Sequence, residues 1–287
     1  MKRSVEIVVI SDVHLGSIGS KAKELYFYLK SIKPRMLIMN GDIIDMWQFK
    51  KRHWNIYHTK LIRLILKLIN NGVTVHYITG NHDEELRRFK GFKISNFKIS
   101  NKLILNLNGK KTWFFHGDVF DITMQHSKWL TRLGSYGYDL LILLNFIINK
   151  IYFVFKKEKT SFSKKIKKNI KLAVKYINQF ENTIVEIAEN HGFTSVVCGH
   201  IHEPCIKTFK LKNKNIEYLN SGDWVENLTS LEYNKGNWEI YKFNYSDFKT
   251  DESFKPINKI FNEVLDDYNI LTKWGYYMHV KQQEMVT

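Results

Sequence analysis

Cysteine is almost absent. The 287 residues hold two, Cys198 and Cys205, too few for a disulfide framework and in no spacing that would bind zinc through thiolates. That excludes a disulfide-stapled secreted domain and fits reduced thiols in the cytoplasm. Internal repeats and low-complexity linkers are missing too, so neither a repeat array nor a string of loosely tethered modules is expected. A secretory leader is not read at the start. The apolar run Val5 to Ile10 is short, contains Glu6 and leads straight into Ser11-Asp12, which makes it a first strand. Acidic residues number 28 against 44 basic ones, a formal net charge of +16. Such an excess attracts phosphorylated substrates, anionic membrane surfaces or nucleic acid, although background richness in Lys, Asn and Ile accounts for much of it. Basic and aromatic residues do not alternate in the manner of a base-stacking groove, so nucleic acid is the least expected of these partners.

Hydrophobic residues make up 44% of the chain, enough for a full core in one large domain or one domain carrying an insertion. Residues 5–10, 36–39 and 73–78 read as buried strands. Helical spacing over 20–32 and 57–69 separates them, with Pro34 ending the first helix and Asn71-Gly72 the second. This alternation predicts parallel βαβ units. Residues 102–107 and 111–115 read as a hairpin turning at Asn108-Gly109. Tyr138 to Phe155 is almost wholly apolar, and Phe162 to Ile187 is helical with Lys164, Lys165, Lys167, Lys168, Lys171 and Lys175 largely off its apolar face. Strand patterns return at 195–198, 206–211, 216–219 and 238–243. Beyond residue 250 a short helix and a loose tail are expected.

Five stretches share one grammar, an apolar strand followed by a turn bearing Asp, Asn or His. They are Ser11-Asp12-Val13-His14, Asn40-Gly41-Asp42-Ile43-Ile44-Asp45, Thr79-Gly80-Asn81-His82-Asp83, Phe115-His116-Gly117-Asp118 and Gly199-His200-Ile201-His202. Taken singly, each Asp would be a cap and each His a surface or core residue. Strand ends of a parallel sheet converge, however, and ligand sites form there. The combined donors, nitrogen and oxygen without thiolate, suit Mn²⁺, Fe or Zn²⁺. Two such ions about 3.5–4 Å apart can activate a water and clamp phosphoryl oxygens. His53, His58, His76, His126, His191 and His279 match no motif and read as structural.

These five motifs, in this order, resemble the calcineurin-like metallophosphoesterase family. The resemblance implies an α/β fold, a four-layer α/β/β/α sandwich with a helical lid insertion, and a cofactor of two divalent metal ions, Mn²⁺ favoured with Fe or Zn also admitted. Carried over, Asp12, His14, Asp42 and His202 would hold one ion, and Asp42, Asn81, His116 and His200 the other. His82 would donate a proton or contact phosphate, with Asp83 orienting it, and Asn81, His82, Asp121 and Asp223 would face the substrate. For Asp45, Asp118, Asp121 and Asp223, capping or supporting roles stand level with substrate contact. The expected organisation is a metallophosphoesterase domain over 1–250, the lid at 124–190 within it, and a C-terminal extension over 251–287.

Within that family, Ser11 to Gly16, Gly41 to Trp47 and Ser221 to Glu226 are similar to the UDP-2,3-diacylglucosamine diphosphatases of lipid A biosynthesis. Some members of that group carry Arg at the position of His82, which leaves another phosphodiester or nucleotide substrate as the alternative. The insertion agrees with an acylated nucleotide-sugar substrate. Tyr138 to Phe155 is about 18 residues, near the lower limit of a membrane span, yet a span there would part the later strands from the earlier ones and split the site. An acyl-sheltering lid with peripheral contact at the inner membrane surface is expected instead; a buried helix or a homodimer contact are the plainer readings. A metal-stabilised scaffold without activity has no need for His82 beside a full ligand set.

Overall fold

The structure, a computed structural model, describes residues 2–120, 162–211 and 214–248. Met1–Phe243 form one compact unit. Asn244 begins a second, whose described part is a 3-10 turn at Tyr245–Phe248. Tyr138 to Phe155, Asp121 and the 251–287 extension lie outside the described residues.

The N-terminal half alternates as its sequence pattern requires. β1 (Arg3–Ile10), α1 (Ala22–Ser31), β2 (Ile32–Asn40), α2 (Ile56–Asn70) and β3 (Thr74–Ile78) follow in order, and β1, β2 and β3 pair in parallel. Strands buried on both faces read as continuous apolar runs, which is why Val8, Val9 and Ile10 are fully buried. Asn55 caps α2, its side chain accepting the Tyr57 amide at 2.8 Å.

The end of α1 differs from expectation. The helix stops at Ser31, and β2 starts at Ile32 with Pro34 inside it, opposite Val5. Proline is tolerated there because β3 pairs with β2 only from Met36 onward, so Pro34 has a strand on one side alone.

β4 (Lys93–Ile94) and β5 (Phe97–Ser100) extend this sheet on one side. β11 (Thr229–Asn234) and β12 (Asn237–Lys242) extend it on the other, for an order β12-β11-β1-β2-β3-β5-β4. A second sheet joins β6 (Leu103–Leu107), β7 (Lys110–Phe114), β8 (Ser195–Cys198), β10 (Asn215–Asn220) and β9 (Cys205–Lys210), in that spatial order. β6 and β7 form the expected hairpin, with Asn108 and Gly109 both at positive φ.

Ile7, Val9, Ile38 and Ile78 of the first sheet pack on Phe114, Val197 and Leu219 of the second. α1 packs on β2 and on α2. α3 (Phe162–Asn190) packs on β8 and β10, burying Phe180, Ile184, Val185 and Ala188. The result is a four-layer α/β/β/α sandwich. Among the described residues, no helix is long and apolar enough to cross a membrane.

Candidate metal centre

Each predicted ligand follows a strand. Asp12 and His14 come after β1, Asp42 after β2, Asn81 after β3, His116 after β7, and His200 and His202 after β8. Five of these residues, Asp12, His14, Asp42, His200 and His202, have φ between 50° and 68°. Left-handed backbone is disfavoured for side chains with a Cβ and persists where surrounding contacts enforce it, typically at functional sites. Here the turns are locked by cross-strand bonds. Asp12 N donates to Gly41 O at 3.1 Å, and Val13 N and His14 N both donate to Asp42 O.

Close backbone packing makes room for the acidic side chains. A Cβ on Gly199 would lie 2.6 Å from both Asp12 Oδ2 and Ser11 Oγ. One on Gly80 would lie 2.2 Å from Asp42 Oδ1. Only glycine admits these approaches.

The side chains meet in adjoining groups. Asp12, His14 and His202 offer ligand atoms within 4.8 Å of one another, as do Asp42, His116 and His200. Asp12 links the two groups, its Oδ1 lying 3.1 Å from His202 Nε2 and 4.0 Å from His116 Nε2. His116 Nδ1 lies 2.9 Å from the carbonyl of Asn40 and must donate to it. In the neutral ring Nε2 is then a bare lone pair, and it sits 3.2 Å from Asp42 Oδ2. Two electron-rich atoms that close need a proton or a metal ion between them. His14 Nε2 and Asn81 Oδ1 are buried with no hydrogen-bond partner, which is costly unless something binds there. The donor set therefore fits divalent metal.

Electrostatics point the same way. Burial would raise the Asp12 pKa, but His202 and His116 hold it down at about 2. Asp42 is likewise held well below the usual range by His116 against the effect of burial. Burial opposes protonation of His202, yet Asp12 lifts it to about 9, and Asp42 and Asp12 push His116 well up. Buried carboxylates that stay ionised make this a cation-seeking pocket.

Residues 5–204, well over half of the chain, match the family described as calcineurin-like phosphoesterase. The chain belongs to that family. As a member it is a metal-dependent phosphoesterase, and the buried clusters above are its candidate metal-binding residues. Among curated proteins it is similar to the UDP-2,3-diacylglucosamine hydrolase of Psychromonas ingrahamii, 23% identical over 79% of this chain and 92% of that one. The protein of that name from Wigglesworthia glossinidia brevipalpis is 26% identical, over 79% and 90%. Among solved structures it is similar to an archaeal phosphodiesterase (TM-score 0.39, 11% identity, covering 82% of this chain and 98% of that one). A phosphoesterase from E. coli gives a TM-score of 0.38 at 12% identity, covering 83% and 99%.

Two expectations need correction. Asp83 does not orient His82. Its carboxylate accepts from Gly80 N at 2.6 Å, Ile43 N at 2.9 Å and Tyr77 Oη at 2.6 Å, and so is committed to holding the phosphoesterase turns together. Asp45 takes the role instead, with Oδ1 3.0 Å from His82 Nδ1 and Oδ2 3.3 Å from His14 Nδ1. One carboxylate thus anchors two imidazoles through the same ring nitrogen and turns both Nε2 atoms away from itself. These contacts hold Asp45 below the usual carboxylate range although burial opposes the shift. His82 is raised, with burial opposing and the Asp45 bond and the Asp42 charge prevailing.

Asp223 is not open to substrate. It is fully buried, and its Oδ1 accepts the amides of Val225, Glu226 and Asn227. Its Oδ2 lies 3.9 Å from His202 Nδ1, so it caps a turn beside a predicted ligand.

Sequence reasoning missed two further groups. The Trp47 ring lies 4.3 Å from that of His82. Arg87 bonds both Asp118 and the Gly80 carbonyl, tying the turn before Asn81 to the one after His116. Asp45 was signalled by the Gly-Asp-x-x-Asp spacing; nothing in the sequence marked Arg87.

Proposed function

We propose that this phosphoesterase hydrolyses the pyrophosphate of an acylated nucleotide sugar, UDP-2,3-diacylglucosamine, to UMP and the lipid monophosphate known as lipid X. The hydrolytic part rests on one observation, the convergence of Asp12, His14, Asp42, His116, His200 and His202 in two largely buried groups linked by Asp12. The lipid-linked substrate is supported by the names of the similar curated proteins and by the long, partly apolar segment between His116 and His200. Because α3 packs into the sandwich through Phe180, Ile184, Val185 and Ala188, we take only the part of 124–190 that precedes this packing as the lid that shelters the acyl chains, and the inner membrane surface as a peripheral contact.

In this reading Asp12, His14, Asp42 and His202 would hold one divalent ion, and Asp42, Asn81, His116 and His200 the second, with Mn²⁺ the favoured metal. Bound there, two divalent ions would supply a hydroxide nucleophile at neutral pH and would neutralise charge on the phosphoryl oxygens. The chain's own residues do the rest. Asp45 fixes the His82 ring through Nδ1, so Nε2 can donate to a phosphoryl or leaving oxygen as charge develops. Asp42, held ionised beside His116, accepts the His82 amide on Oδ1 at 2.8 Å, which ties the donor to the metal-holding group.

The test compares release of UMP from UDP-2,3-diacylglucosamine with hydrolysis of cyclic nucleotides, single-stranded DNA and bis-p-nitrophenyl phosphate in Mn²⁺. The proposal expects the acylated substrate to be preferred by orders of magnitude. Equal or better turnover of a soluble diester would favour the second reading, which His82 in place of Arg keeps in view.

A further inference from the structure

From Met46 to His82 the sequence contains no Asp or Glu, yet it contains Lys50, Lys51, Arg52, Lys60, Arg63 and Lys67. The first part of this stretch, 46–56, is a loop fixed beside the site. Met46 N donates to His82 O at 3.0 Å, and Lys50 N donates to Gly16 O at 3.2 Å. The Phe49 ring lies so close over Gly16 that a Cβ there would meet it at 2.4 Å. Trp54 packs on Phe49, ring centres 5.6 Å apart, and its indole N–H bonds Thr59 Oγ1 at 3.1 Å.

On this rigid base the exposed side chains are of two kinds. Lys50, Lys51 and Arg52 are cationic and exposed. Ile18 is 69% exposed, Ile56 60% and Phe49 48%. Trp54 and Tyr57 in the same stretch are half-buried, with Lys60 Nζ 4.9 Å from the Tyr57 ring. Aliphatic tips, aromatic rings and cations, with no acid in the 46–82 stretch, are what an anionic bilayer surface accepts, tips into the acyl boundary and cations at the headgroups. A nucleic acid would satisfy the cations but leave Ile18 and Ile56 in water.

We propose that residues 46–57, with Ile18, form the surface on which this chain lies against an anionic phospholipid bilayer. It deepens the lipid-substrate reading by giving membrane contact a place outside the 124–190 lid. Because Met46 follows Asp45 and bonds His82, a bilayer seated here lies next to the catalytic cluster.

The test is co-sedimentation of the full chain with vesicles and no substrate, so that it fails or succeeds apart from the assignment of reaction. Vesicles of phosphatidylcholine with phosphatidylglycerol should bind the protein, and phosphatidylcholine alone should not. Lys50→Glu/Lys51→Glu/Arg52→Glu should weaken binding on the order of 100-fold or more. Ile18→Ser/Ile56→Ser should lower it by roughly 10-fold or more. Both variants should keep wild-type turnover of bis-p-nitrophenyl phosphate, which certifies their fold. Absence of wild-type binding to anionic vesicles, or unchanged binding by the triple variant, overturns the proposal. So does loss of single-stranded RNA binding by the triple variant without any change in vesicle binding.

Discussion

The Asp45 carboxylate carries two imidazoles on its two oxygens, so an amide in its place can serve only one of them as acceptor. Asp45→Asn is expected to lower turnover about 10- to 100-fold and to shift the pH–rate profile. Asp83→Asn is expected to lower the melting temperature with little movement of that profile, because Asp83 binds backbone amides and Tyr77 rather than an imidazole. Kinetics against pH, paired with thermal denaturation, separate the two, and the reverse pattern would restore Asp83 as the orienting group. Charge on the ligands sets a second expectation. His202, raised to about 9 from 6.5, binds its proton more tightly in the folded chain. Without metal, its contribution to stability is fully present below pH 6.5 and is lost as pH rises through about 9. Asp12, lowered from 3.8 to about 2, contributes above pH 3.8 and loses that contribution as pH falls through about 2. A divalent ion must displace the His202 proton, so its affinity should climb across about pH 6 to 9. Metal titrations over that range check this, and affinity falling with pH would contradict it.

Among the elements, unbroken apolar runs were the plainest to read, and β6, β7, β8, β9, β10 and β12 were also marked by their strand patterns. β1, β2 and β3 are flanked by sheet or helix on each side and appear as unbroken apolar runs, and the turns after them expose the ligands that the sandwich brings together. β11 could not be read. Thr229, Ser230 and Glu232 are polar, yet they are buried between β1 and β12, with Glu232 satisfied by Arg3 and by Tyr28 Oη at 2.7 Å. Burial of that kind depends on partners more than 200 residues away, and no local pattern announces it. The same reason explains Asp83 and Asp45: adjacency in sequence favoured the neighbour of His82, while the fold brought the more distant carboxylate to its ring. The turn after β8 offers a direct test of how tightly these elements close. Gly199→Ala would drive a methyl into Asp12 Oδ2 and Ser11 Oγ, with an expected cost of about 1–3 kcal/mol and a loss of activity. Denaturant unfolding and turnover measure both, and wild-type values in the variant would show that the turn has slack.

At the scale of the whole molecule, one sandwich gathers Asp12 and His202, 190 positions apart in the numbering, into a single buried centre. Neither sheet can do this alone, since Asp12, His14, Asp42 and Asn81 follow strands of the first sheet while His116, His200 and His202 follow strands of the second. The formal net charge of +16 favours long-range encounter with anionic, phosphorylated substrates. The proposed function turns on the centre holding metal in pairs, with Asp42 expected to serve both ions. The decisive measurement is the Mn²⁺ content of the purified protein and of Asp42→Ala, each followed by turnover of bis-p-nitrophenyl phosphate. Two ions per chain in the wild type, with Asp42→Ala losing paired occupancy and activity together, is the predicted result. An Asp42→Ala protein that keeps both ions and hydrolyses the diester at the wild-type rate would contradict it.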